Sequence, residues 1–259
     1  VALSLAVIWA LYRIPPKGDR DWATDHAHAP SAAIEGDRVT VSHFRSFRYP
    51  GASTVEPRWT EQSFDLRQLE GCDFIVVPFA ANQRLAHTMV SFRFAEGPNL
   101  ALSVEARREK GEAYSVLRGV LHQFELVYVI GDEDDLLGVR LERLKDTLYI
   151  HPVHVEPATC RQFLVDLLGA ANEVSAKPQW YGTLRSNCTT NLVDSLERTR
   201  GAPVSWDARM LLPGGSAELV YDLGLLDSTE PFETLKERAR MAPGGTPRLA
   251  DESFSDWIR

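Results

Sequence analysis

The sequence predicts an α+β domain in which an antiparallel sheet from the middle of the chain packs against helices from its C-terminal half. Two patterns carry that expectation. Short runs of β-branched and aromatic residues, bounded by turn residues, recur between positions 38 and 154. Beyond Pro157, apolar residues recur at helical spacing instead.

The chain opens with Val1 to Tyr12, almost wholly apolar, followed by Arg13 and Lys17. Crossing about 30 Å of hydrocarbon takes roughly 20 residues, so this stretch is too short to span by itself. Trp9 and Tyr12 beside cations nevertheless resemble the interfacial margin of a membrane segment. Residues 1–14 are read as the end of a transmembrane or signal-anchor segment. Pro15 and Pro16 keep the chain out of helix and begin a linker and surface strap over 15–37, which has no period. The main domain is assigned to 38–259.

Strands are expected at 39–44, 74–79, 88–94, 99–105, 125–130 and 148–154, with 80–85 read as a loop and 131–135 as an acidic turn. Gly97 and Pro98 separate two of these runs and mark an antiparallel hairpin. One helix opens at Pro157, with Phe163, Leu164, Leu167, Leu168 and Ala171 on one face. Another opens near Cys188, carries Leu192 and Leu196, and stops at Gly201.

A net charge of −8 argues against a nucleic-acid partner, which requires a concentrated positive field. The three cysteines, Cys72, Cys160 and Cys188, show no CxxC spacing, so neither a zinc site nor a disulfide framework is signalled, and no metal or cofactor is expected.

Cys188 stands out because its neighbours are polar: residues 185–192 read RSNCTTNL and run straight into the second helix. At a helix start, unpaired N–H groups and the macrodipole favour a thiolate. The same groups can receive an oxyanion, and Asn187 and Thr189 are the candidate oxyanion or site-shaping residues. The thiol is expected to be ionised and exposed, with an imidazole in reach. His87, ahead of the strand at 88–94, is the candidate base. Glu105, at the end of the next strand, falls at the same sheet end in a hairpin and is the candidate orienting group.

Four blocks carry a family resemblance: AHTMVSFRF at 86–94, LSVEARREKGEAY at 102–114, WYGTLRSNCTTN at 180–191 and LLPGGSAELVYDLG at 211–224. Together they resemble the periplasmic domain of Lnb-type bacterial lipoprotein N-acyltransferases. That family in turn resembles circularly permuted papain-like thiol enzymes of the NlpC/P60 and lecithin:retinol acyltransferase kind, in which histidine precedes cysteine. The resemblance implies Cys188 as nucleophile, His87 as base and Glu105 as orienting group, although permuted relatives often place another polar residue in the third role.

It further implies ping-pong transfer of an acyl chain from a membrane phospholipid, through a Cys188 thioester, to the N-terminal amine of a diacylglyceryl-cysteine lipoprotein. The enzyme would sit at the bacterial inner membrane and face the periplasm. Arg107 and its neighbour Arg108 are the candidate phosphate contacts; Tyr114 and Tyr181 are candidate pocket walls. The residues alone also fit a periplasmic cysteine peptidase or amidase using the same pair, or a non-catalytic binding module with a structural Cys188.

Overall fold

The computed structural model describes residues 15–51, 54–245, 248–249 and 251–259, so the apolar segment at 1–14 lies outside the described residues. Among these, no helix is long and apolar enough to cross a membrane. The sheet has nine strands: β1 Ser31–Glu35, β2 Arg38–Arg45, β3 Trp59–Asp65, β4 Leu69–Phe79, β5 Asn82–Phe94, β6 Leu100–Arg107, β7 Glu125–Gly131, β8 Leu148–Pro152 and β9 Arg240–Met241. Their order is β1-β2-β7-β6-β5-β4-β8-β9, with β3 also paired to β2. All pairings are antiparallel except the single parallel bridge Arg45↔Gly131 between β2 and β7.

Among the described residues, seven α-helices accompany the sheet: α1 Val116–Val120, α2 Glu133–Leu136, α3 Pro157–Ala176, α4 Cys188–Arg200, α5 Ser216–Asp222, α6 Phe232–Arg238 and α7 Phe254–Trp257. Strand alternation divides the core in two. Val76, Val90, Phe92, Leu102 and Tyr128 pack on one side with Leu164, Leu167 and Leu168 of α3 and Leu192 of α4. Ile75, Val77 and Met89 pack on the other with Leu137, Leu141, Phe254 and Ile258.

Three local readings are corrected. The stretch 80–85 is not a loop: β4 and β5 join through a turn at Ala80 and Ala81, and His87 lies within β5, paired with Val77. Polar residues there escaped a strand reading because this end of β5 is exposed. The acidic stretch 131–135 is a helix start, with Asp132 capping α2 by accepting the Asp135 N–H at 2.8 Å. Two of its carboxylates are internal, Asp135 held by Arg45 and Glu133 by Arg259. The strap contains β1, an edge strand with no buried residue and therefore no alternating pattern to read.

One irregularity of the sheet prepares the site. β5 and β6 pair only from Met89↔Ser103 to Phe92↔Leu100. Before Met89, β5 pairs with β4 alone, and after Ser103, β6 pairs with β7 alone. The two central strands thus part, and the N-terminus of α4 enters the opening: Thr189 Oγ1 meets Thr88 Oγ1 at 3.1 Å.

Candidate active site

The start of α4 is fixed by a reciprocal cap. Asn187 Oδ1 accepts the N–H groups of Thr189 at 2.8 Å and Thr190 at 2.9 Å, and Thr190 Oγ1 accepts the Asn187 N–H at 2.8 Å. Asn187 Nδ2 donates to the carbonyls of Thr183 at 2.9 Å and Met210 at 3.2 Å. Asn187 thus lines the cavity and shapes the site by building the helix start and tying two loops to it, which engages its polar atoms and leaves none for an oxyanion. Thr189 is likewise turned inward, against Thr88. The backbone N–H that the cap leaves at the first helical position is that of Cys188 itself.

Cys188 lies with His87 and Glu105 at the point where β5 and β6 part and the start of α4 enters between them. Ser103 and Glu105 are two positions apart on β6 and share a face. Glu105 Oε1 is 3.0 Å from His87 Nε2. Ser103 Oγ stands between them, 2.6 Å from Nε2 and donating to Oε1 at 2.7 Å. Nε2 faces the hydroxyl and the carboxylate, and the imidazole also acts on the neighbouring Cys188 thiol. Sequence reading missed Ser103, although its i−2 relation to Glu105 was the available signal.

The charges reinforce one another. Burial works against a charged His87, but the Glu105 charge and hydrogen bonds to Cys188 and Glu105 prevail and push its pKa up to about 9. Burial also opposes a thiolate at Cys188, yet hydrogen bonding and charge from His87, helped by Thr88, bring it down to about 7. Glu105 is desolvated, but the His87 cation and Arg140 hold its carboxyl well below the usual range. Between those two values the pair rests as thiolate and imidazolium, the state from which a carbonyl is attacked without a prior proton transfer.

The thiol is not exposed as expected: Cys188 is only 4% accessible. It forms part of the wall of a cavity of about 860 Å³ that also reaches His87, Ser103 and Glu105. Phe47, Phe79, Leu85, Met89 and Val139 supply apolar wall, while Arg45, Arg108, Arg140 and Arg143 supply positive charge. Arg45 is held in place by two bonds to Asp135, at 2.8 and 3.1 Å. Tyr114 and Tyr181 line the cavity and meet edge to face at 6.2 Å.

Arg107, expected at the substrate, is not among the lining residues. Its guanidinium donates to the carbonyls of His26 at 3.1 Å and Ala27 at 3.2 Å and lies over the Trp22 ring at 4.2 Å. It clamps the strap to β6, and strap residues Ala23 to His26 thereby become cavity wall. His26 is buried there and accepts the Arg108 N–H at Nδ1 (3.1 Å); burial lowers its pKa to about 4.

This assembly can ionise a thiol, hold an imidazolium beside it and offer a backbone donor to an oxyanion. No curated protein and no solved structure matches the chain. The family model described as Lnb N-terminal periplasmic domain matches residues 56–214, more than half of the chain and the stretch that contains Cys188, His87, Ser103 and Glu105. The chain therefore belongs to the Lnb N-terminal periplasmic domain family.

Proposed function

We propose that this domain is a lipoprotein N-acyltransferase working by a thioester on Cys188. The observation that carries the reading is the Cys188–His87–Glu105 set at the wall of a large cavity with both apolar and cationic lining. In the first half-reaction the thiolate attacks an ester carbonyl of a phospholipid, and the Cys188 N–H receives the oxyanion. His87 gives a proton to the departing glycerol oxygen, which releases lysophospholipid and leaves the acyl chain on sulfur.

In the second half-reaction the N-terminal amine of a diacylglyceryl-cysteine lipoprotein attacks the thioester carbon. His87 takes the amine proton, the amide forms and the thiolate is regenerated. Apolar walls suit acyl chains, and the fixed cations suit a phosphate headgroup. The order of the parts, with the base on a strand and the nucleophile later at a helix start, supports kinship with permuted papain-like enzymes.

The test is to incubate the full chain with phospholipid carrying a labelled acyl chain. Expected are lysophospholipid release and hydroxylamine-sensitive label on the protein, both absent in Cys188→Ser, and label transfer to the amine of a diacylated lipopeptide. A chain that takes no acyl group from phospholipid but cleaves a peptide amide through Cys188 would be a peptidase, and the proposal would fall.

A further inference from the structure

We infer that the mouth of the cavity is a docking face for an anionic lipid bilayer. This deepens the acyl-transfer reading by naming the surface from which the donor is drawn, but it stands on separate observations. Leu117 is 68% accessible, Leu144 and Leu184 each 56%, and Leu212 43%. Leu117 is on the short helix α1 and the other three are on loops, and each segment lines the cavity: Val116, Leu144, Thr183, Leu211 and Pro213 all belong to the wall. The loops are tied together around the opening. Thr183 Oγ1 donates to the Val116 carbonyl at 3.2 Å, Arg143 donates to the Thr54 carbonyl at 3.1 Å, and Gly214 rests against the backbone of Gln83 and Arg84.

The charges beside these side chains identify the partner. Lys145 follows Leu144, Arg185 follows Leu184, and Arg84 lies under the 212–214 loop; all three cations are exposed and none has a carboxylate partner among the described residues. Residues 84, 114–118, 142–146, 182–186 and 211–214 hold five cations (Arg84, Arg118, Arg143, Lys145 and Arg185) against two carboxylates (Glu142 and Asp146), a local excess of positive charge on a chain of net charge −8. Apolar tips alternating with unpaired cations match a lipid surface, where leucines enter the acyl boundary and cations meet phosphate. The strap also arrives at this end of the sheet. Glu125, which faces Arg107 across the ends of β7 and β6, accepts the N–H groups of Lys17 at 2.8 Å and Gly18 at 3.0 Å.

Hydrogen exchange on the full chain tests the inference without requiring turnover. Vesicles containing phosphatidylglycerol should slow exchange at 114–118, 142–146, 182–186 and 211–214, while phosphatidylcholine vesicles do so less and the exposed face of α3 is unchanged. The double variant Leu117→Ser, Leu184→Ser should lose at least tenfold in rate on vesicles and keep its rate on dispersed short-chain phospholipid. Acyl transfer with no protection at these loops would overturn the docking face and spare the reaction; protection without any Cys188-dependent transfer would do the reverse. Protection that appears without vesicles and grows with protein concentration would mean a second copy covers the face, and the inference would fail.

A separate observation carries a modification site: the structure assigns Cys72 and Cys160 as a disulfide pair in the exported protein. Their sulfurs lie 2.9 Å apart, both buried, joining β4 to α3 across 88 residues of chain. The family is periplasmic, and that compartment oxidises thiols. Two S–H bonds would be replaced by one S–S bond, with two protons released and two electrons passed to the disulfide of a periplasmic thiol oxidase, which becomes a dithiol. Cys188, at the cavity, would then be the one remaining free thiol. Alkylation and intact-mass measurement of protein exported to a bacterial periplasm should find one reactive thiol, at Cys188, and a mass two hydrogens below the reduced chain. Three alkylated cysteines under non-reducing conditions would overturn the assignment and leave the acyltransferase reading untouched.

Discussion

The Ser103 hydroxyl lies 2.6 Å from His87 Nε2 and bridges it to Glu105. Because Glu105 Oε1 also reaches Nε2 at 3.0 Å, the ring keeps its tautomer when the hydroxyl is removed. Ser103→Ala should therefore slow acyl-enzyme formation by about 3- to 10-fold, as expected for losing one hydrogen bond of roughly 1 kcal/mol. The upper limb of the pH profile should move down, and a single-turnover assay across pH checks both effects. An unchanged rate and profile would show the bridge to be incidental.

Glu105→Gln removes the charge that opposes burial of the imidazolium. The His87 pKa should fall from about 9 toward or below its ordinary 6.5. Since His87 is the main influence lowering Cys188, the thiol should lose its ionisation near neutral pH. Acyl-enzyme formation should drop by about 100-fold or more, the scale typical of general acid–base groups. Imidazole NMR and single-turnover kinetics together read the two changes.

The pH dependence follows from the two shifts. Cys188 is depressed from 9.0 to about 7, so its ion contributes stability above pH 9 that is lost as pH falls through about 7. His87 is raised from 6.5 to about 9, so its contribution is full below pH 6.5 and is lost as pH rises through about 9. The rate should rise through about pH 7, hold, and fall near pH 9 as His87 loses the proton that the leaving group needs. Iodoacetamide should alkylate Cys188 with a midpoint near pH 7. A midpoint at the ordinary thiol value would contradict the ion pair.

Asn187→Ala removes the cap of α4 and leaves the carbonyls of Thr183 and Met210 without their donor. The cap alone contributes about 1 kcal/mol, and each unsatisfied buried group adds about 1 or more, so a loss of about 2 to 4 kcal/mol is expected. Denaturant unfolding measures it. Asn187→Asp should restore the cap but not the two carbonyl bonds, and should fall between the two.

Arg107→Ala should act on the strap rather than on donor affinity, because the guanidinium holds His26, Ala27 and Trp22. Limited proteolysis should then cut within residues 19–30 at a rate at least several-fold above the parent chain. A pure rise in KM for phospholipid, with the strap still protected, would return Arg107 to the substrate.

Local rules were enough for part of this architecture. The periodicity from Pro157, the stop at Gly201 and the polar approach to Cys188 are written within a few neighbouring residues, and both long helices appear where those signals lie. The hairpin of β5 and β6 was legible for the same reason, and it put His87 and Glu105 at one sheet end without settling that they meet. Strands β1 and β3 were not legible, because strands this exposed carry little hydrophobic alternation to detect.

Tertiary structure decided the rest. Whether Cys188 reaches His87 depends on the parting of β5 from β6 and on docking α4 into the gap, a contact made across 101 residues at Thr88 and Thr189. The inward turn of Asn187, the capture of Arg107 by the strap and the approach of Cys72 to Cys160 arise the same way. Residue type determines which chemistry a side chain is capable of; sheet register and packing over long chain separations determine which partners it meets.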